Sequence, residues 1–141
     1  MSEQGGSTPD QGVAKVHLPR YSSVETRPGM RHRDIVGEPL GVTSFFIGDS
    51  LLAPGSGVPL HTHPIEEVLI ALEGDVTVVA GDETIQLSAE EAVVVPPGVP
   101  HKFQNRSGSQ ARLMSAAPWD RATFFREATT YLEGAPREGN P

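Results

Sequence analysis

Residues 76–87, VTVVAGDETIQL, contain two β-rich runs on either side of a short polar turn. Gly81 can adopt a positive φ at low steric cost, and Asp82 follows it, a composition common in the turns of β-hairpins. We therefore predict an antiparallel hairpin formed by Val76–Ala80 and Glu83–Leu87.

The same pattern of short apolar segments and turn residues extends along the chain in both directions from this hairpin. Pairs of turn formers such as Gly48-Asp49, Gly74-Asp75 and Ser107-Gly108 separate the segments. The further predicted strands are Val13–Leu18, Arg33–Gly37, Val42–Ile47, Leu60–His63, Glu67–Leu72, Ala92–Val95, His101–Asn105 and Ala111–Ala116. Short strands at such regular spacing predict an all-β protein built as an antiparallel barrel or sandwich.

The composition supports this fold class. The 15 Gly and 13 Pro in a chain of 141 residues leave little room for long helices, and the length fits one domain. Residues 1–12 are small and polar, and we predict a disordered tail ahead of a single domain at 13–141. One short helix is expected at about 120–133, since Asp120 can cap it. The apolar stripe of this helix consists of Phe124, Ala128, Tyr131 and Leu132.

Charge and cysteine content exclude several classes of function. The formal net charge is −7 and the chain contains no cysteine, which excludes disulfides, thiolate metal sites and cysteine nucleophiles. No basic cluster is present, which disfavours nucleic-acid binding. The apolar run Val68–Leu72 is too short to span a membrane, and residues 1–15 lack the apolar core of a signal peptide. We therefore expect a soluble cytoplasmic protein that binds neither nucleic acid nor membranes.

Three of the five histidines lie in settings that favour metal binding. His61 and His63 are one residue apart, so a strand directs both side chains to the same face. Glu67 follows after a bend at Pro64-Ile65, and His101 follows a proline-rich turn that fixes the start of the next strand. Three neutral imidazoles and one carboxylate suit one divalent transition metal, which we expect to be Fe, Mn, Ni, Co, Cu or Zn.

Two sequence patterns surround these residues. Residues 55–74 read G-(x5)-H-x-H-(x3)-E-(x6)-G, and residues 96–105 read P-x-G-(x2)-H-(x3)-N. Both patterns resemble the signature motifs of the cupin superfamily, and their short separation resembles that of small single-domain prokaryotic cupins. The resemblance implies a conical antiparallel β-barrel that is often dimeric. It also implies that the metal is held by the residues that match the motif, His61, His63, Glu67 and His101.

The chain departs from the second motif at one position. That motif usually opens with glycine where this chain has Glu90, so a turn that often needs a positive φ is expected to form differently here. No ligand position is lost by this departure. Glu66 remains an alternative ligand to Glu67, because a bend can reset the alternation of side chains along a strand.

Other side chains are candidates for the pocket. Phe103 shares the parity of His101 and is expected to point toward the metal, either as core packing or as a ring that stacks on substrate. The other pocket candidates are Phe46, Leu69, Met114, Phe45 and Trp119. His17 and His32 match neither motif and are interpreted as surface or core-edge residues. Three arginines are interpreted as solvated surface charges, and binding of an anionic substrate is the alternative. They are Arg31, Arg33 and Arg106.

A centre of this kind keeps open coordination positions beside its four protein ligands, which suits reactions of oxygen-rich organic molecules. The first hypothesis is a metal-dependent dioxygenase that acts on a small oxygen-rich substrate. Glu67 is expected to be catalytic as well, because a carboxylate that leaves the metal becomes a general base. The alternatives are a non-catalytic small-molecule binding or sensor protein, and a metal-dependent isomerase, lyase or cyclase. The resemblance also implies a homodimer.

Overall fold

The computed structural model describes residues 13, 15, 17, 23–36, 42, 44–118 and 129–133. They contain eleven strands: β1 (Val24–Arg27), β2 (Met30–Val36), β3 (Phe46–Leu52), β4 (Gly57–Thr62), β5 (Glu67–Glu73), β6 (Asp75–Ala80), β7 (Glu83–Ser88), β8 (Ala92–Val95), β9 (His101–Gln104), β10 (Ala111–Ala117) and β11 (Thr130–Tyr131). The order is β1-β2-β3-β10-β5-β8 in a six-stranded sheet and β11-β4-β9-β6-β7 in a five-stranded sheet. The all-β prediction is confirmed for the described residues.

Both sheets contribute side chains to one core. In β5, Leu69 and Ala71 are fully buried and alternate with more exposed neighbours, as in a strand with one face toward the core. Val78 from β6 and Leu113 from β10 belong to the same cluster, so the core fills the space between the sheets. Within the described residues no ladder joins the two sheets, so the predicted barrel is confirmed only as two antiparallel sheets that share a core.

The predicted hairpin is present as β6 and β7, which pair across a turn whose Gly81 has a φ of +58°. Glycine adopts this conformation without steric cost. β8 has the predicted bounds, Ala92–Val95. It ends there because Pro96 and Pro97 have no N–H to donate to a ladder.

The prediction of a C-terminal helix is wrong where the structure describes that segment. Thr130–Tyr131 forms β11, which pairs with Thr62 and His61 at the edge of β4. Hydrogen bonding to this strand edge outweighs the helical spacing of the apolar residues, which is a weak preference by itself. The rest of the predicted helix, residues 120–128, lies outside the described residues.

Two further differences concern the N-terminal part of the chain. β1 was not predicted, since its sequence VETR lacks a clear apolar alternation. Val13, Lys15 and His17 lie outside any strand, so the predicted strand at Val13–Leu18 is not formed at those three positions. The remaining residues of that strand and the predicted tail at 1–12 lie outside the described residues. A helix long and apolar enough to cross a bilayer does not occur in the described part of the chain.

Glu90 has a φ of +74° in the tight connection between β7 and β8. The turn therefore keeps the positive φ of the motif without its glycine, and the expectation that the turn forms differently is wrong. The N–H of Glu90 donates to the carbonyl of Ala71 at 2.8 Å, which holds the residue in this conformation. An L side chain in the left-handed region costs on the order of 1 kcal/mol.

We expect Glu90→Gly to raise the free energy of unfolding by about 0.5 to 1 kcal/mol, because the relieved strain outweighs the extra backbone freedom of glycine. Glu90→Ala is the matched control, since it removes the carboxylate and keeps the strain. Urea unfolding of both variants measures the effect. Equal midpoints for the glycine and alanine variants would contradict this account of the turn.

Candidate metal centre

Four buried side chains from three strands and one loop converge at the predicted site. His61 lies near the end of β4 and pairs directly with His101 at the start of β9. His63 lies in the bend after β4, and Glu67 is the first residue of β5. One ligand atom from each of the four lies within 4.8 Å of those from the others, so the structure brings together the whole set that the sequence predicted.

The orientation of the three imidazoles is fixed by backbone carbonyls. Nδ1 of His61 lies 2.8 Å from the carbonyl oxygen of Pro59, and Nδ1 of His101 lies 2.9 Å from that of Val99. Nδ1 of His63 has the same kind of contact, 3.2 Å from the carbonyl oxygen two residues further on. A carbonyl only accepts, so each Nδ1 carries a proton, and this tautomer of the imidazole has its lone pair on Nε2. This arrangement is typical of metal-binding histidines.

The acceptor atoms of the site face one another. Oε1 of Glu67 lies 3.3 Å from Nε2 of His63 and 3.2 Å from Nε2 of His101. A carboxylate has only lone pairs, and so does Nε2 of an imidazole whose proton is on Nδ1. Lone pairs at these distances repel unless a cation or a shared proton lies between them. The donor set therefore fits a divalent transition metal of the Fe to Zn series.

The pKa values of the ligands favour the same interpretation. Burial lowers the pKa of His61 to about 4, and the neighbouring His101 adds to this effect. Burial alone raises the pKa of Glu67, but contacts with Nε2 of His101 and of His63 that share a proton with the carboxylate outweigh it and lower the pKa to about 2. At neutral pH His61 is therefore neutral and Glu67 is ionised, which are the states that metal ligation requires.

The two neighbouring glutamates are clearly distinguished. Glu67 is 5% exposed and points to the imidazoles, whereas Glu66 is exposed to solvent. The bend at Pro64 and Ile65 ends before Glu66, and regular alternation along β5 then turns Glu67 inward together with Leu69. This geometry favours Glu67 over Glu66 as the fourth ligand.

A cavity opens beside this site. His61 and Glu67 form part of its wall, so a molecule in the cavity lies next to the proposed metal position. Part of the lining is apolar, which excludes water from around a bound molecule. The remaining lining residues are Arg27, Met30, His32, Ser50, Val58, Phe103, Leu113, Ser115 and Tyr131.

Among the pocket candidates that the structure describes, only one lies in this lining. Phe103 does, whereas Phe46 packs in a separate small cluster and Leu69 lies within the main core. Met114 alternates with the lining residue Leu113 along β10, so its side chain lies on the opposite face of the sheet. Phe45 is exposed, and Trp119 lies outside the described residues.

Several lining residues were missed by the sequence analysis. His32 was interpreted as a surface or core-edge residue, but it is 7% exposed and lines the cavity. The available signal was the pair His32 and Asp34, one residue apart on a strand, the same spacing that identified His61 and His63. Arg27 and Tyr131 were also missed, and the Arg27 guanidinium lies 5.3 Å from the centre of the Tyr131 ring.

The other residues set apart by the sequence analysis lie away from the cavity lining. His17 is exposed, as expected. Arg31 donates to Ser23, and Arg106 is exposed. Arg33 differs from the expectation of solvated charge, because it forms an ion pair with the buried Asp49.

Comparison with known proteins identifies the family. Residues 48–117 match the family described as "Cupin domain". The chain is 30% identical over 103 residues to the tetracenomycin polyketide synthase protein TcmJ of Streptomyces glaucescens. The matched stretch covers 72% of this chain and 69% of that protein. It is also 33% identical over 76 residues to the polyketide synthase CurC of Streptomyces cyaneus. The chain spans about half of that protein's length, 49%. The chain belongs to the cupin superfamily.

Solved structures show the same fold. The polyketide cyclase RemF of Streptomyces resistomycificus superposes with a TM-score of 0.73 at 24% identity, covering 87% of each chain. Salicylate 1,2-dioxygenase of Pseudoaminobacter salicylatoxidans superposes with a TM-score of 0.60 at 23% identity. The aligned region covers 67% of this chain and 26% of the dioxygenase chain. At these identities the two structures establish the fold, and the function has to be argued from the site.

Proposed function

We propose that this cupin is a metal-dependent enzyme that promotes ring closure or isomerisation of an oxygen-rich, polyketide-like small molecule. The observation that carries the proposal is the set of three imidazoles and one carboxylate beside a partly apolar cavity. Two of the relatives reported above are named as polyketide synthase proteins, which supports this substrate class over others.

Each group in the cavity has a proposed role. His61, His63, Glu67 and His101 hold one divalent metal, which supplies polarisation of a carbonyl or enol oxygen when it is bound. Glu67, the only anion among the four, stays our candidate for a catalytic carboxylate. The apolar wall positions the carbon skeleton and excludes water. It is formed by Met30, Val58, Phe103 and Leu113.

Dioxygenation is the second candidate function. A metal held by His61, His63, Glu67 and His101 would have coordination positions left for a substrate oxygen and for dioxygen. The likeness to salicylate 1,2-dioxygenase concerns the fold alone, so cyclisation or isomerisation is the leading proposal.

Oxygen demand separates the two functions. Protein loaded under anaerobic conditions with Zn(II), Mn(II) or Fe(II) is incubated with linear poly-β-ketones, and ring-closed products are followed by mass spectrometry. We expect product without oxygen, and its loss in Glu67→Gln but not in the matched control Glu66→Gln. Product formed only with equivalent oxygen uptake would favour a dioxygenase. Recovery of unaltered ligand bound to metal-loaded protein would contradict an enzymatic function and favour a binding protein.

We also propose that the protein is a homodimer. Val94 and Leu72 are 62% and 40% exposed on neighbouring strands of the six-stranded sheet, and burial against a second copy would remove this apolar surface from water. Light scattering on the purified protein tests the proposal. We expect twice the chain mass, and a monomer at micromolar concentration would contradict it.

A further inference from the structure

The cavity lining contains a buried histidine, His32, that is not one of the proposed metal ligands. His32 lies on β2, and its imidazole has a partner at each nitrogen: Nδ1 lies 2.9 Å from Oγ of Ser50, and Nε2 lies 2.8 Å from Oδ1 of Asp34. His32 and Ser50 both line the cavity, and they face each other directly in the pairing of β2 with β3.

The partners of His32 determine which nitrogen carries its proton. The carboxylate of Asp34 can only accept, so Nε2 of His32 donates to it. In the neutral ring Nδ1 then has a lone pair, which accepts the hydroxyl proton of Ser50. This tautomer is opposite to that of the three proposed ligands, which carry the proton on Nδ1 and present Nε2. His32 is therefore arranged to receive a proton from the side of the cavity.

The backbone leaves space for this ring. A Cβ atom at Gly48 would lie 2.6 Å from Cε1 of His32, so a side chain at that position would displace the imidazole. Asp34 has 23% of its side chain exposed, whereas Ser50 is buried. The three hydrogen-bonded groups thus lead from a partly solvated carboxylate to a hydroxyl in the cavity wall.

We propose that Ser50, His32 and Asp34 form a proton relay that deprotonates an enolic or phenolic hydroxyl of a substrate in the cavity. In this step the O–H bond of the substrate breaks and its electron pair stays on the substrate oxygen. Ser50 Oγ gains that proton while its own proton passes to Nδ1 of His32. The imidazolium formed is stabilised by the Asp34 carboxylate. The proposal rests on the proposed function, since an enolate is the species that ring closure or isomerisation requires.

The tautomer of His32 provides a test that needs neither metal nor substrate. Nitrogen-15 NMR of the metal-free, histidine-labelled protein distinguishes protonated from unprotonated ring nitrogens. We expect His32 to carry its proton on Nε2, and we expect Asp34→Asn to change the His32 shifts while Asp82→Asn, in an exposed turn, leaves them unchanged. A proton on Nδ1 of His32 in the parent protein would overturn the relay, because that nitrogen then has no lone pair to accept with.

Proton release provides the second test. Acetylacetone, a 1,3-diketone that binds metals as its enolate, is titrated into zinc-loaded protein by calorimetry in buffers of different ionisation enthalpy. We expect the parent protein to take up the proton that acetylacetone loses on binding, so that no proton reaches the buffer. In His32→Asn and Ser50→Ala we expect about one proton per bound acetylacetone to be released to the buffer. His17→Asn is the matched control and is expected to match the parent.

The outcomes separate the relay from the proposed function. Equal proton release by the parent, His32→Asn and Ser50→Ala would overturn the relay and leave the metal centre intact. Failure of the zinc-loaded protein to bind the probe would contradict the proposed function, and the His32 tautomer would still decide the relay. If His32→Asn does not fold, Ser50→Ala gives the same comparison, because it removes the hydroxyl and keeps the ring.

Discussion

Replacement of His101 by alanine is expected to lower the affinity of the protein for zinc by more than about 100-fold. Loss of a residue that only hydrogen-bonds to a metal ligand already costs about 10- to 100-fold in metal affinity, and loss of the ligand itself costs more. Nε2 of His101 faces the centre because Nδ1 is held by the carbonyl of Val99. Its removal takes one imidazole nitrogen away from the metal and leaves two imidazoles and a carboxylate. Competition with a chromogenic chelator measures the loss.

The neighbouring glutamates provide the matched control for this prediction. Glu67→Gln removes the only anionic ligand and is expected to weaken zinc binding to a similar extent. Glu66→Gln changes the charge of the protein by the same amount on an exposed side chain and is expected to bind zinc like the parent. Equal affinities of the two glutamine variants would refute the assignment of Glu67.

Asp49→Asn is expected to destabilise the fold by about 2 to 3 kcal/mol, less than for a fully buried pair because both arginines are partly exposed. Asp49 lies in the centre of the six-stranded sheet with 1% of its side chain exposed. It accepts from Nε of Arg33 at 2.9 Å and from Nε and Nη2 of Arg112 at 2.9 and 3.0 Å. The asparagine leaves two cations without their shared anion. Urea unfolding near neutral pH measures the loss.

The same contacts predict a pH dependence. Burial alone raises the pKa of Asp49, but hydrogen bonds and charge interactions with Arg112 and Arg33 outweigh it and lower the pKa below 3.8. The stabilisation is therefore complete above the unfolded-state pKa of 3.8 and is lost as the pH falls through the lower folded-state pKa. The difference in stability between parent and Asp49→Asn should shrink in strong acid. The exposed Asp82→Asn is the control, and a difference that does not change with pH would contradict the prediction.

The site was predictable because its residues are close in sequence or follow strong turn signals. His61, His63 and Glu67 lie within seven positions, and the prolines before His101 fix the start of β9. Local spacing and residue type therefore indicated the same four residues that the resemblance to cupins implied as ligands. β8 was placed correctly for a similar reason, since prolines end it.

The features that were missed depend on long-range pairing. The register of β2 with β3 places His32 opposite Ser50 and Arg33 opposite Asp49, and a shift by one residue would exchange the two faces. Neither half of such a pair reveals its partner 16 to 18 positions away. β11 was missed similarly, because helical spacing in the sequence carries no information about the free edge of β4.

X-ray absorption at the zinc edge of reconstituted protein tests the metal centre most directly. We expect one zinc per chain with imidazole scattering from three nitrogens at about 2.0 to 2.1 Å and at least one oxygen ligand. Loss of one imidazole shell in His101→Ala should accompany the lower affinity. A spectrum with oxygen ligands alone, or one that His101→Ala leaves unchanged, would contradict it.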